Sequence, residues 1–206
     1  MSAEAEVASA VALSEEDRSR ADVYALLGAL LARAPDAAML GLLKQIPVSQ
    51  ANGDATLAAA WAMLRQAAER AVTAGLEEEY FDLFVGLGRG ELVPYGSWYV
   101  TGFLMERPLA ELRIDLKRLG MERRADVHEP EDHAAALCET MSLLIAGGDE
   151  AQFEEQREFF AKHVAPWMGR FFGDLAQAQS AHFYRSVGLL GERFLEVERT
   201  YFSMLV

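Results

Sequence analysis

Apolar residues recur along this chain at intervals of three and four, the spacing that lines up one face of a helix. After the start signal Ser14-Glu15-Glu16-Asp17 they fall at Val23, Leu26, Leu27, Leu30 and Leu31, and Pro35 stops the run. A short helix is predicted from Met39 to Ile46, ending before Pro47. Asp54 then caps a helix striped by Leu57, Trp61 and Leu64. Leu76, Tyr80, Leu83, Phe84 and Leu87 form the next face, with Glu77 to Glu79 in its first turns, where carboxylates complement the helix dipole. Further stripes follow: Leu109, Leu112, Leu116 and Leu119 from Pro108 to Gly120, then Leu137, Met141 and Leu144 from Pro130 to Gly147-Gly148. Asp149 to Val164 and Pro166 to Ala176 are rich in Phe and Trp. The last helix is the cleanest, with Phe183, Val187, Leu190, Phe194, Val197, Tyr201 and Met204 on one side.

One long stretch breaks this rhythm. Gly86, Gly88, Gly90, Pro94 and Gly96 do not suit a helix, so a Gly/Pro-rich loop is predicted over about 86–97. All six prolines fall at segment boundaries, as helix starts and stops require. No segment alternates with the period of two that marks a strand. The pattern therefore predicts an all-α, single-domain bundle of roughly eight to ten helices over 14–206, preceded by a flexible tail at 1–13.

Composition narrows the function. With 51% hydrophobic residues in 206, the chain can bury a sizeable core. Only three isoleucines occur, which favours helix over sheet. The net charge of −13 repels phosphates and argues against nucleic acid, while it attracts basic peptides. The single cysteine, Cys138, leaves no internal disulfide and suits a reducing compartment. The first residues carry Glu4 and Glu6 and no basic residue before Arg18, so no secretory signal is read. No apolar run approaches the ~18 residues of a membrane span. A cytoplasmic protein without stable membrane insertion is expected.

Candidate chemistry concentrates at His128-Glu129-Pro130-Glu131-Asp132-His133. Three readings bear on it. A metal site is disfavoured, because ligands five apart on a helix point about 140° from each other. Gly86-Leu87-Gly88-Arg89-Gly90 lacks the Lys-Ser/Thr of a phosphate-binding loop, and no cofactor is expected. Structurally, Pro130 at the first helical position with Glu131 and Asp132 beside it makes a good helix start. For binding, Glu129 and Asp132 at a groove's edge would grip guanidinium groups, with Tyr95, Trp98 and Tyr99 adding aromatic surface. A small acid–base or metal hydrolase using His128, Glu129, Asp132 and His133 is the alternative.

Three motifs resemble the TorD/DmsD family of redox-enzyme maturation chaperones. Tyr80-Phe81-Asp82-Leu83-Phe84 fits its aromatic-x-x-Leu-Phe pattern. Pro94-Tyr95-Gly96-Ser97-Trp98-Tyr99 fits its Pro-x-Gly-Ser-x-Tyr loop, and Glu129-Pro130-Glu131-Asp132-His133 its Glu-Pro-x-Asp-His signature. The family often carries a further Glu where this chain has Ala125, next to Asp126. The resemblance implies a non-enzymatic, cytoplasmic, all-helical chaperone. It would bind the twin-arginine signal peptide of a molybdenum-containing oxidoreductase until its cofactor is inserted. Its partners would be that leader and the body of the enzyme. On this reading Glu129 and Asp132 meet the arginines, and His133 orients them. Tyr80, Leu83, Phe84, Tyr95 and Trp98 provide or support the apolar floor, shaped by Pro94, Gly96, Ser97 and Pro130. Tyr80, Leu83 and Phe84 also share the stripe of Leu76 and Leu87, which favours core packing over direct contact. Both a monomer and a dimer exchanging helices across the glycine-rich connector stay open.

Overall fold

Ser14 opens the first helix as the sequence predicts, its Oγ accepting the Asp17 N–H at 3.0 Å. Asp36 does the same for the second, accepting from Met39 N–H at 2.8 Å. The computed structural model describes residues 13–47, 55–124, 127–147 and 150–204. Residues 1–12 of the tail, the cap expected at Asp54, the start of the segment expected from Asp149, and the Ala125-Asp126 pair lie outside these residues.

Ten α-helices run through the described residues. They are α1 (Glu15–Ala32), α2 (Ala37–Lys44), α3 (Ala55–Arg70), α4 (Thr73–Tyr80), α5 (Gly96–Thr101), α6 (Arg107–Arg118), α7 (Ala134–Ala146), α8 (Glu150–Phe159), α9 (Met168–Gln177) and α10 (Tyr184–Met204). Short π-helical turns extend α4 over Phe81–Val85 and α8 over Phe160–Val164. Among the described residues no strand forms, only an isolated bridge between Tyr95 and His133. None of the described helices is long and apolar enough to cross a membrane.

The helices pack by their apolar stripes. α1 lies along α7, and α10 packs on both α9 and α3. Tyr24, Leu27, Leu64, Met141, Phe171, Phe172, Val187 and Leu190 are all wholly buried. Each such side chain contributes about 1.5–3 kcal/mol by leaving water. One buried ion pair pins the outer helices together. Arg20 on α1 reaches Glu198 on α10 through Nε–Oε1 at 2.7 Å and Nη2–Oε2 at 2.9 Å, with Tyr201 4.0 Å beneath the guanidinium.

Four expectations shift. Leu87 is not on the buried stripe but 98% exposed, because the π turn closes with Gly86 N–H bonding Phe81 C=O and Gly86 then turns the chain at φ +63°. The loop ends earlier than predicted, since Gly96 to Thr101 forms α5, with Trp98 and Tyr99 on it. Glu77 to Glu79 sit in the second half of α4, not its first turns. Glu79 instead reaches α10, whose start it caps by accepting from His182 and Tyr184 N–H at 2.8 Å and Phe183 N–H at 3.2 Å. Finally, α7 begins at Ala134 and not at Pro130.

Candidate functional site

The late start of α7 has a clear cause. Residues 130–134 are held against the 94–97 segment by Gly96 N–H to Asp132 C=O at 2.9 Å and Ala134 N–H to Pro94 C=O at 2.8 Å. His133 then becomes the cap residue. Its Nδ1 accepts the Ala135 N–H at 3.1 Å, while Tyr95 packs edge-on against its ring at 5.0 Å. Burial lowers the His133 pKa and outweighs the opposing pull of Glu129 and Asp132, so the imidazole stays neutral at ordinary pH.

This arrangement splits the carboxylates by task. Asp132 is 3% exposed, and its Oδ2 accepts from Ser97 N–H at 2.8 Å and from the Ser97 hydroxyl. Ser97 is the second residue of α5, where a backbone N–H has no partner within the helix. Asp132 therefore caps α5 from outside that helix. Its carboxylate is committed to this buried cap, whereas a contact with arginine at a groove's edge was expected of it. Its Oδ1 is buried without a hydrogen-bond partner among the described residues. Glu131 pairs with Arg113 at 2.8 Å. Glu129 is exposed, and its Oε2 accepts from the Tyr95 hydroxyl.

Glu129 and His133 open onto a groove of about 630 Å³ between α1 and α7. Ala25, Gly28, Ala29 and Ala32 form its α1 wall, and Ala135, Ala136, Glu139, Ser142 and Leu143 its α7 wall. Tyr80 and Val127 complete the end near Glu129. The depth comes from small side chains at a close helix crossing. A Cβ on Gly28 would sit 3.2 Å from the Ala135 carbonyl oxygen. Tyr80 donates to Leu31 C=O at 3.1 Å and ties the end of α4 to α1. Val127 and Leu143, 40% and 56% exposed, give the groove unpartnered apolar surface.

The predicted residues therefore separate into three groups, with Trp98 apart from all of them. Tyr80, Glu129 and His133 line the groove. Pro94, Tyr95, Gly96, Ser97, Pro130 and Asp132 build its support, with Tyr95 bonding Glu129 and packing on His133. Leu83 is wholly buried in the core, and Phe84 packs edge-on to Tyr184 at 5.4 Å. Trp98 is not among the lining residues and lies under Arg89 at 5.3 Å. Missed by sequence reasoning were the α1 wall, Val127, Glu139 and Leu143. The signal was there in α1: Ala25, Gly28, Ala29 and Ala32 repeat at helical spacing as a stripe of small residues.

Of the groups of the hydrolase reading, Glu129 and His133 share the groove while Asp132 does not line it. Asp132 and the His133 Nδ1 are both occupied as caps, and Cys138 is buried, which pushes its thiol pKa up and away from thiolate. Among the described residues no set of three His, Cys, Asp or Glu side chains converges as metal ligands. A second cavity, about 510 Å³, lies between α3, α4 and the start of α10, lined by Met63, Arg70, Val72 and Arg185. Glu79 also borders it, but its carboxylate is engaged by the three N–H groups of α10.

A family model described as nitrate reductase delta subunit matches residues 50–173, more than half of the chain. The chain belongs to this TorD-like family. The span holds all three motifs and the α7 wall, while α1 lies before it. Among curated relatives, chaperone protein TorD of Vibrio atlanticus is 25% identical over 138 residues, 62% of this chain and 64% of that protein. The match thus spans slightly less than two thirds of that relative. Chaperone protein TorD of Shewanella pealeana is 23% identical over 197 residues, 87% of this chain and 88% of the relative. A crystal structure from Archaeoglobus fulgidus, described as a redox enzyme maturation protein, shares the fold with a TM-score of 0.52 at 18% identity, over 89% of this chain and 95% of that one.

Proposed function

We propose that this chain is a TorD-type chaperone. In the cytoplasm it binds the twin-arginine leader of a molybdenum-containing oxidoreductase and delays export until that enzyme's cofactor is in place. The observation that carries this reading is the α1–α7 groove. It joins an exposed Glu129 and a neutral His133 to an apolar floor, in a chain of net charge −13. Such a groove suits a segment that is basic at one end and apolar beyond it. Binding of this kind needs no bond made or broken, and the buried Cys138 and the two occupied caps are consistent with that.

Titrating a labelled leader peptide tests the reading. The wild-type chain binds the paired-arginine peptide, and changing both arginines to lysine weakens binding about ten-fold or more, because an ammonium loses the two-pronged carboxylate contact. Glu129→Gln weakens the arginine peptide similarly. Equal affinity for the arginine and lysine peptides would contradict the proposal.

A further inference from the structure

With Asp132 committed to the α5 cap, a leader carrying two adjacent arginines finds one carboxylate of the Glu-Pro-x-Asp-His segment at the groove, Glu129. A second carboxylate lines the same groove from α7. Glu139 is exposed, and among the described residues its side chain makes no hydrogen bond or ion pair. It lies six residues beyond His133, about 9 Å along the helix at ~1.5 Å per residue. Ala135 and Ala136, between the two, keep that wall low.

His133 supplies an independent sign that this stretch receives a ligand. The ring is 8% exposed and lines the groove. Because Nδ1 accepts the Ala135 N–H, the hydrogen of the neutral ring resides on Nε2. That Nε2–H has no acceptor among the described residues. Among the described residues the buried side-chain atoms left unpaired are Tyr24 Oη and Asp132 Oδ1, so His133 Nε2 keeps contact with the groove and is free to donate to an arriving acceptor there. The acceptor an extended segment brings at regular intervals is its main-chain carbonyl.

We infer that Glu139 is a second guanidinium ligand of this groove. An extended segment crosses the first turns of α7 with one arginine on Glu129 and its neighbour on Glu139, and a carbonyl between them meets His133 Nε2–H. Side chains of successive residues in an extended chain point to opposite sides, so adjacent arginines fit two separated carboxylates better than one shared carboxylate. The inference rests on the leader reading and deepens it: each arginine has its own site.

The experiment is a grid of equilibrium titrations. Leader peptides with Arg-Arg, Lys-Arg and Arg-Lys at the pair are titrated against wild type, Glu129→Gln, Glu139→Gln and the double variant. Unfolding midpoints confirm that both exposed substitutions leave the fold intact. Glu139→Gln is expected to weaken Arg-Arg binding about ten-fold or more. That loss should nearly vanish for one lysine peptide, and the Glu129→Gln loss for the other. Wild-type affinity of Glu139→Gln for the Arg-Arg peptide would overturn the inference, as would an equal loss for all three peptides. A wild type that binds none of the peptides would overturn the leader reading, and the inference with it.

Discussion

Glu129 and Asp132 stand three residues apart in one acidic motif and serve different ends. Asp132 accepts two hydrogen bonds from Ser97 in a buried setting. Asp132→Ala is therefore expected to cost about 2–3 kcal/mol, read as a lowered urea midpoint. Glu129→Gln, at the surface, should stay within ~0.5 kcal/mol of wild type. Equal midpoints for the two variants would contradict this division. From sequence alone the two carboxylates were equivalent, because the partner that tells them apart lies 35 positions away. His133 adds a pH dependence. Its folded-state pKa lies below the ordinary value of 6.5, chiefly through burial. The unfolded chain thus takes up the proton first as pH falls, so this residue's contribution is present above about pH 6.5 and lost below it. His133→Asn keeps an acceptor at the cap and cannot titrate. Its unfolding midpoint should fall less than that of wild type between pH 7 and pH 5, a range of about two units around the ordinary histidine value.

At the scale of elements, apolar spacing was a dependable guide and helix ends were not. The stripes on α1, α6 and α10 were legible because burial itself produces the period. Starts set by tertiary partners were not legible. α7 begins at Ala134 because Pro94 and Gly96 bond the residues before it, which the favourable geometry of Pro130 could not reveal. Glu79 shows the same limit. A carboxylate answering a helix dipole was the right chemistry, but the helix is α10, more than a hundred residues on. The Arg20–Glu198 pair was unreadable for a related reason. Each residue sits among polar neighbours in sequence, and only the packing of α1 on α10 buries them together. Arg20→Ala leaves Glu198, which is 0% exposed, without its cation. It should destabilise the protein by about 3–5 kcal/mol in chemical denaturation. A cost below ~1 kcal/mol would show that the pair is not load-sharing between these helices.

For the whole molecule, the negative field and the α1–α7 groove are complementary. On the proposed function, the charge of −13 would draw basic segments in, and the small-residue crossing at Gly28 would give them a shape to enter. The acidic edge was partly legible through its motif, while the α1 wall left only a stripe of small residues, Ala25, Gly28, Ala29 and Ala32, whose spacing marks a close crossing without naming the helix across it. The groove's place as the leader site is tested most directly by mapping contacts. A leader peptide bearing a photo-reactive group beside its arginine pair is crosslinked to the wild-type chain, and the adducts are located by mass spectrometry. The account predicts adducts on residues 25–32 of α1 and 135–143 of α7. Adducts confined to the cavity of Met63, Arg70 and Arg185 would contradict it.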